Sequence, residues 1–123
     1  NQRQALFVKS SGSVQNKRTG QPAPMKALDA DPMTAGADED PRAKFAEWMT
    51  SPKNPFFARA VANRYWAHFF GRGIVDPLDD MRITNPPSNP ELLDALAKNL
   101  TDNNYSLKAL VRTICTSRTY QLS

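Results

Sequence analysis

Residues 66–80 read WAHFFGRGIVDPLDD and hold the side chains best suited to chemistry. The chain's one histidine, His68, lies among aromatics, and Arg72, Asp76, Asp79 and Asp80 follow closely. A histidine near an Asp-x-x-Asp-Asp run suggests an oxygen-rich site for a hard cation, because the run bunches carboxylates. His68, Asp76, Asp79 and Asp80 are therefore the candidate metal ligands, yet their spacing matches neither an EF-hand loop nor a zinc site. General base and haem ligand are the other chemical roles open to His68. The bland alternative is a histidine in the last turn of a helix, bonded to a carbonyl or carboxylate and favoured there by the helix dipole when charged. That structural role is the expected one.

Other reactive arrangements fail on spacing. The serines fall in loops and at helix starts, with no nucleophile elbow. The Gly-Arg-Gly at 71–73 is too short to cradle a phosphate. Asp79 and Asp80 are adjacent, so in extended chain they point apart and are poorly placed for shared acid–base work. Cys115 is the single cysteine, which leaves no disulfide and no Cys-x-x-Cys metal or haem motif within these residues. Its neighbours Leu110, Val111 and Ile114 make it a small buried hydrophobe. No catalytic residue is assigned, and the chain leans away from being an enzyme in its own right.

The elements that would position these residues are helices. Three times a capping residue precedes a proline: Asp40-Pro41, Asn54-Pro55 and Asn89-Pro90. The Asp or Asn side chain accepts from a first-turn amide, and proline fits the first position because its missing N–H would lack a partner there. The pattern predicts helices over about 41–50, 55–70 and 90–102, and a fourth from Ser106. Gly71 suits a left-handed cap on the second. Phe45, Trp48 and Met49 would form one apolar face. Leu92, Leu93, Leu96 and Leu100 form the next, and Leu107, Leu110, Val111 and Ile114 the last. The expected fold is all-α: a small irregular bundle of about four helices over residues 40–123. Residues 1–39, rich in Gly, Pro, Ser and Asp, form an extended arm with a short strand at 5–9. The arm is ordered only where Leu6, Phe7, Val8, Met25 or Leu28 find a groove.

Apolar groups surround the helix over 55–70 on nearly its whole circumference, so it should be central. Arg59, Asn63, Arg64 and His68 are interleaved with them. Buried charge is costly unless paired. The following loop, which has two glycines, three prolines and an apolar side (Ile74, Val75, Leu78, Met81), should fold back so that its aspartates neutralise Arg59, Arg64 or Arg72.

The 123 residues carry 40% hydrophobic and 23% charged side chains, as an ordinary globular domain does. No apolar run approaches the roughly 20 residues a membrane span needs. Net charge is +4, unevenly spread. Five basic and four acidic side chains in 1–39 give +1, eight of each in 40–104 give zero, and Lys108, Arg112 and Arg118 with no acid in 105–123 give +3. The helices joined by Asn103-Asn104-Tyr105-Ser106 superficially resemble a helix-turn-helix. A recognition helix reads bases with several side chains near its start, and here Ser106 and Lys108 are the polar candidates. Nucleic-acid binding is therefore not expected. The chain begins at Asn1 rather than Met, so we expect a piece of a longer protein and read nothing from the lack of a signal peptide.

Three stretches, NPFFARAVANRYWAHFFGRGIVDPLDD, NPPSNPELLDALAKNL and YSLKALVRTICTSRTYQLS, together resemble the PSD1 domain, also called DUF1553, of large proteins from Planctomycetes and related bacteria. The resemblance is carried by Asn54-Pro55, Ala58-Arg59, Asn63-Arg64-Tyr65-Trp66, Phe70 to Gly73, Asp79-Asp80, Pro87 to Leu93, Lys108 to Leu110 and Ser117 to Tyr120. It is dense over 40–123 and weaker over the arm, and the chain resembles the first half of the domain, as if truncated at its C-terminus. The resemblance implies a multidomain, exported parent, periplasmic or extracellular. Its other modules would be a DUF1549 (PSCyt2) domain and a cytochrome c-like or Ig-like one. Any haem would belong to such a separate module, with no cofactor in this chain. The family carries no established catalytic residues.

The resulting cluster is Arg59, Asn63, Arg64, Trp66, His68, Gly71, Arg72, Gly73, Asp79 and Asp80. We expect a packed polar core in a non-catalytic structural or interaction module. The alternative is an anion- or polysaccharide-binding part of an extracellular enzyme, centred on Arg64, His68 and Arg72.

Overall fold

Asp40, Asn89 and Ser106 each start a helix by lending a side-chain oxygen to an unpaired first-turn amide. In a computed structural model, which describes residues 12–27, 30–36 and 39–122, these caps open three of five helices. The helices are α1 (Pro41–Thr50), α2 (Phe57–Phe70), α3 (Pro90–Asp102), α4 (Leu107–Cys115) and α5 (Arg118–Gln121). The Asp40, Asn89 and Ser106 side chains accept from the Arg42, Leu92 and Ala109 N–H groups. The chain is mostly helical, as expected, and divides into two units, residues 1–51 and 52–123.

In the first unit, β1 (Val14–Gln15) pairs antiparallel with β2 (Pro22–Ala23). The turn between them is built by Asn16, whose Oδ1 accepts from the Arg18 N–H at 2.9 Å, and by Gly20 at φ +70°. This hairpin was not anticipated: two-residue strands are too short for alternation to show. The strand expected at 5–9 lies outside the described residues, as do Leu6, Phe7, Val8 and Leu28. Met25 is exposed. On α1, Phe45 stacks on Trp48 with centroids 5.5 Å apart, yet no residue of the helix is fully buried. Its expected apolar face is thus only partly covered.

The second unit is built around α2, which packs mainly on α3 and also on α4. The core joins Ala58 and Ala62 of α2 to Leu93, Leu96 and Leu100 of α3, Leu110 and Ile114 of α4, and Ile74 and Val75 of the loop. Alanines one turn apart, rather than the aromatics, supply the closest face of α2. The larger Val61, Tyr65, Trp66, Phe69 and Phe70 are half-buried around the rim. The short alanine side chains let the partner helix approach while its leucines fill the space between.

Helix α2 begins two residues later than predicted. Asn54 still caps, its Oδ1 accepting from the Phe56 and Phe57 N–H groups at 2.8 and 3.1 Å. The helix ends on Gly71 at φ +75°, the left-handed cap expected. Leu107, counted as core from periodicity, is 43% exposed: it sits in the first turn of α4, on the rim of an open cleft that it shares with Phe57, Val61 and Leu100. Cys115 is half-buried. Helix α5 is additional to the four expected. Ser117 caps it, and Tyr120 brings its ring edge against Phe69 and Phe70 at 5.9 and 5.8 Å.

Candidate functional site

Asn63 organises the segment after α2. It is wholly buried, and its amide forms a two-pronged bond with Val75. Nδ2 donates to the Val75 carbonyl and Oδ1 accepts from the Val75 N–H, both at 2.9 Å. Nδ2 also reaches the Leu78 carbonyl at 3.4 Å. A helix side chain thus satisfies loop backbone that would otherwise be buried unpaired. Gly73 lies against this bond, where an added Cβ would meet Asn63 Oδ1 at 3.0 Å, Leu78 Cδ2 at 2.7 Å and the Val75 carbonyl more closely still. The rest of the loop is held by similar devices. The Ser88 N–H and hydroxyl both donate to the Ile74 carbonyl, at 2.8 and 2.9 Å. Asn85 Nδ2 donates to the Asp80 carbonyl at 3.0 Å.

The charged residues lie outside this bracket. Arg64 pairs with Asp79, and Arg72 with Asp76 at 3.4 Å, so the loop aspartates do reach two of the three arginines. Arg59 does not take a loop partner; it pairs with Asp94 of α3. Asp80 binds Arg82, two residues on, at 2.6 and 2.7 Å. The arginines of these pairs are exposed, contrary to the expectation of buried charge. Long guanidinium stems carry their heads out to water even from a helix flanked by apolar groups. What the core buries is the neutral amide of Asn63. The Arg82 hydrogen bond holds the Asp80 carboxyl below its ordinary range, and Asp80 in turn raises the Arg82 guanidinium.

His68 is exposed, its ring meeting the edge of Phe69 at 5.2 Å, and no hydrogen bond to its imidazole is present among the described residues. Trp66 stacks on Phe70 with centroids 4.0 Å apart. Arg64, His68 and Arg72, four residues apart in turn, line one open cleft of about 320 Å³ together with Asp76 and Leu78. The cleft gathers the predicted anion-binding trio, but it also places carboxylates on both arginines. The carbonyl end of α2 adds negative potential there. The metal candidates His68, Asp76, Asp79 and Asp80 do not converge: among the described residues no three His, Cys, Asp or Glu side chains are placed to share an ion.

Sequence reasoning missed a second feature. A groove of about 270 Å³ runs between the start of α2 and the far end of the loop, walled by Phe56, Val75, Met81, Ile83, Pro87 and Leu93. Ile83 stands beside it 99% exposed. Ile83 sits between charged and polar neighbours, outside any periodic stripe, so its exposure has no sequence signature beyond the Pro86-Pro87 that shapes the wall.

Residues 41–123 match the profile of PSD1, described as a protein of unknown function (DUF1553). Comparison with curated proteins and with solved structures finds no match. No helix among the described residues is long and apolar enough to cross a membrane.

Proposed function

The chain belongs to the PSD1 (DUF1553) family, and we propose that it is a non-catalytic interaction module which docks onto neighbouring domains of a larger exported protein. The observation that supports this most is how its functional groups are used. Asn63, Gly73 and the arginine–aspartate pairs are engaged within the domain, while the groove beside Phe56 and Met81 stays open and Ile83 projects fully into solvent. An isoleucine held out on a bracketed loop is apolar area available to a partner. Family resemblance suggests the partner is a DUF1549 (PSCyt2), cytochrome c-like or Ig-like domain, with any haem in that separate module.

Amide hydrogen exchange tests the reading, comparing the isolated chain with the complete polypeptide its gene encodes. The expected result is slower exchange at Met81–Ile83 and Asn85 in the complete polypeptide, reversed by Ile83→Asp. Identical exchange in the two contexts overturns the proposal.

One observation supports a second reading. Arg64, His68 and Arg72 do share one open cleft, as an anion site centred on them requires. Such an anion must displace Asp79 and Asp76 from the arginines, so sulfate titration followed at the His68 ring should show no saturable shift if docking is the function.

A further inference from the structure

The groove walled by Phe56, Val75, Met81 and Leu93 carries charge of one sign. Arg59 and Arg82 are the charged residues lining it, and no carboxylate lines it with them. Both arginines are exposed, and their partners Asp94 and Asp80 stand outside the groove. The Arg64–His68–Arg72 cleft differs, because Asp76 is itself part of its wall. Arg82 grips Asp80 through Nε and Nη2, so among the described residues its Nη1 keeps two N–H donors for another acceptor. Arg59 meets Asp94 through Nη2. Asn85 is the remaining polar residue of the lining. Its Nδ2 donates to the Asp76 and Asp80 carbonyls at 3.3 and 3.0 Å, which leaves Oδ1 as an acceptor without a partner among the described residues. The main-chain N–H groups of Met81 and Ile83 have no partner there either.

Resting on the docking reading above, we propose that the groove takes an acidic peptide segment of the neighbouring domain. One large apolar side chain lies on the apolar floor, and flanking aspartates or glutamates meet Arg59 and Arg82. The lining selects this occupant. A cavity of about 270 Å³ falls below the roughly 300–1,000 Å³ of small-molecule sites and suits a single large side chain. Two guanidiniums with no carboxylate between them complement carboxylates on the partner. The free Asn85 Oδ1 and the free N–H groups of Met81 and Ile83 match the N–H and C=O of a peptide main chain. A fatty acid has no N–H for that acceptor, and a sugar polymer has no apolar side chain for the floor. Burial of the anchor supplies the affinity, and the charges set its orientation.

The test is titration of the isotope-labelled chain with three synthetic peptides, followed by NMR shifts of main-chain and asparagine amides. The first peptide is acetyl-Ser-Asp-Leu-Phe-Glu-Ser-amide. The second carries Asn and Gln in place of its two acids, and the third carries Lys at both. The protein is compared with the double variant Arg59→Gln, Arg82→Gln, whose melting temperature should stay close to the parent's because both side chains are exposed. The expected result is saturable shifts at Met81, Ile83 and Asn85 with the acidic peptide. The amide peptide should bind the parent about tenfold more weakly, two exposed ion pairs of modest strength each. The double variant should bind the acidic peptide as weakly as the amide one and leave the amide peptide's affinity unchanged. Equal binding of the acidic and amide peptides by the parent overturns the proposal, as does tighter binding of the lysine peptide or no saturable shift with any of the three. Tighter binding of decanoate at the same amides overturns it in favour of a small amphiphile. Dimerisation of the isolated chain that is abolished by Ile83→Asp overturns it in favour of a second copy. Hydrogen exchange keeps the two readings apart. Protection of Met81–Ile83 in the complete polypeptide beside any of these failures rejects the acidic segment and retains docking, whereas unchanged exchange rejects docking itself.

Discussion

The Asn63 amide and the Val75 backbone, 12 residues apart in sequence, exchange two hydrogen bonds of 2.9 Å in a site closed to solvent. The geometry imitates one rung of a β-ladder, with a helix side chain in the place of the second strand. Removing the amide strands a buried donor and a buried acceptor at once. Asn63→Leu should therefore lower stability by about 2–4 kcal/mol and the melting temperature by roughly 10 °C. Thermal unfolding by circular dichroism checks this, and an unchanged midpoint would show that the bracket carries no stability.

The two glycines of the Gly-Arg-Gly run should respond differently. At Gly71, φ is +75° and nothing lies within 4 Å of an added Cβ, so Gly71→Ala meets backbone strain alone. Its cost is about 1 kcal/mol. At Gly73 the added methyl collides with the Val75 carbonyl and with Asn63 Oδ1. Backbone cannot move aside there without opening the bracket, so Gly73→Ala should cost about 2–3 kcal/mol. Combined with Asn63→Leu it should cost less than the sum, because both changes break one unit. Urea unfolding of the three single variants and the double variant measures each quantity. Full additivity would separate Gly73 from the bracket.

The helix starts were legible because capping is local. Asp40, Asn89 and Ser106 act on amides two or three residues away, within the reach of a motif. Partners at long range were not. Arg59 finds Asp94 across 35 positions, and nothing in either neighbourhood marks the other, since the pairing depends on how α3 lies along α2. The helical wheel of α2 showed polar groups among aromatics but not which polar group the core would accept. In retrospect, chemistry distinguishes them: an arginine can extend its charge to water, whereas an asparagine amide is short and neutral and is buried where fixed backbone partners meet it. Helix α5, at four residues, has too few turns for periodicity to reveal it.

His68→Ala should leave stability within about 0.5 kcal/mol of the parent, as exposed substitutions do. The side chain is open to solvent and touches only the edge of Phe69 among the described rings. Its sequence position, ahead of Gly71 at the end of α2, suggested a partner carbonyl or carboxylate. The loop aspartates Asp76 and Asp79 are instead paired with arginines, Asp76 with Arg72 and Asp79 with Arg64. Differential scanning calorimetry checks the outcome, and a loss of several degrees would assign the imidazole a structural contact after all.

Acid should release the Asp80–Arg82 pair without touching Asn63. The Arg82 hydrogen bonds, 2.6 Å from Nε and 2.7 Å from Nη2, depress the Asp80 carboxyl below its ordinary 3.8. A depressed folded value means the pair's contribution is complete above the unfolded carboxylate range near pH 4 and fades as pH falls through the folded value. Stability near neutrality should therefore be flat with respect to this pair, with its loss confined to strongly acidic solution. Arg82→Gln removes the donor of both bonds and should move the Asp80 midpoint upward toward 3.8, read from the carboxyl carbon shift by NMR. Asp40 and Arg42, bonded in the same way in the first unit, serve as an internal reference whose midpoint stays low in that variant. An Asp80 midpoint that does not move on Arg82→Gln would mean that the guanidinium is not what holds the carboxylate charged.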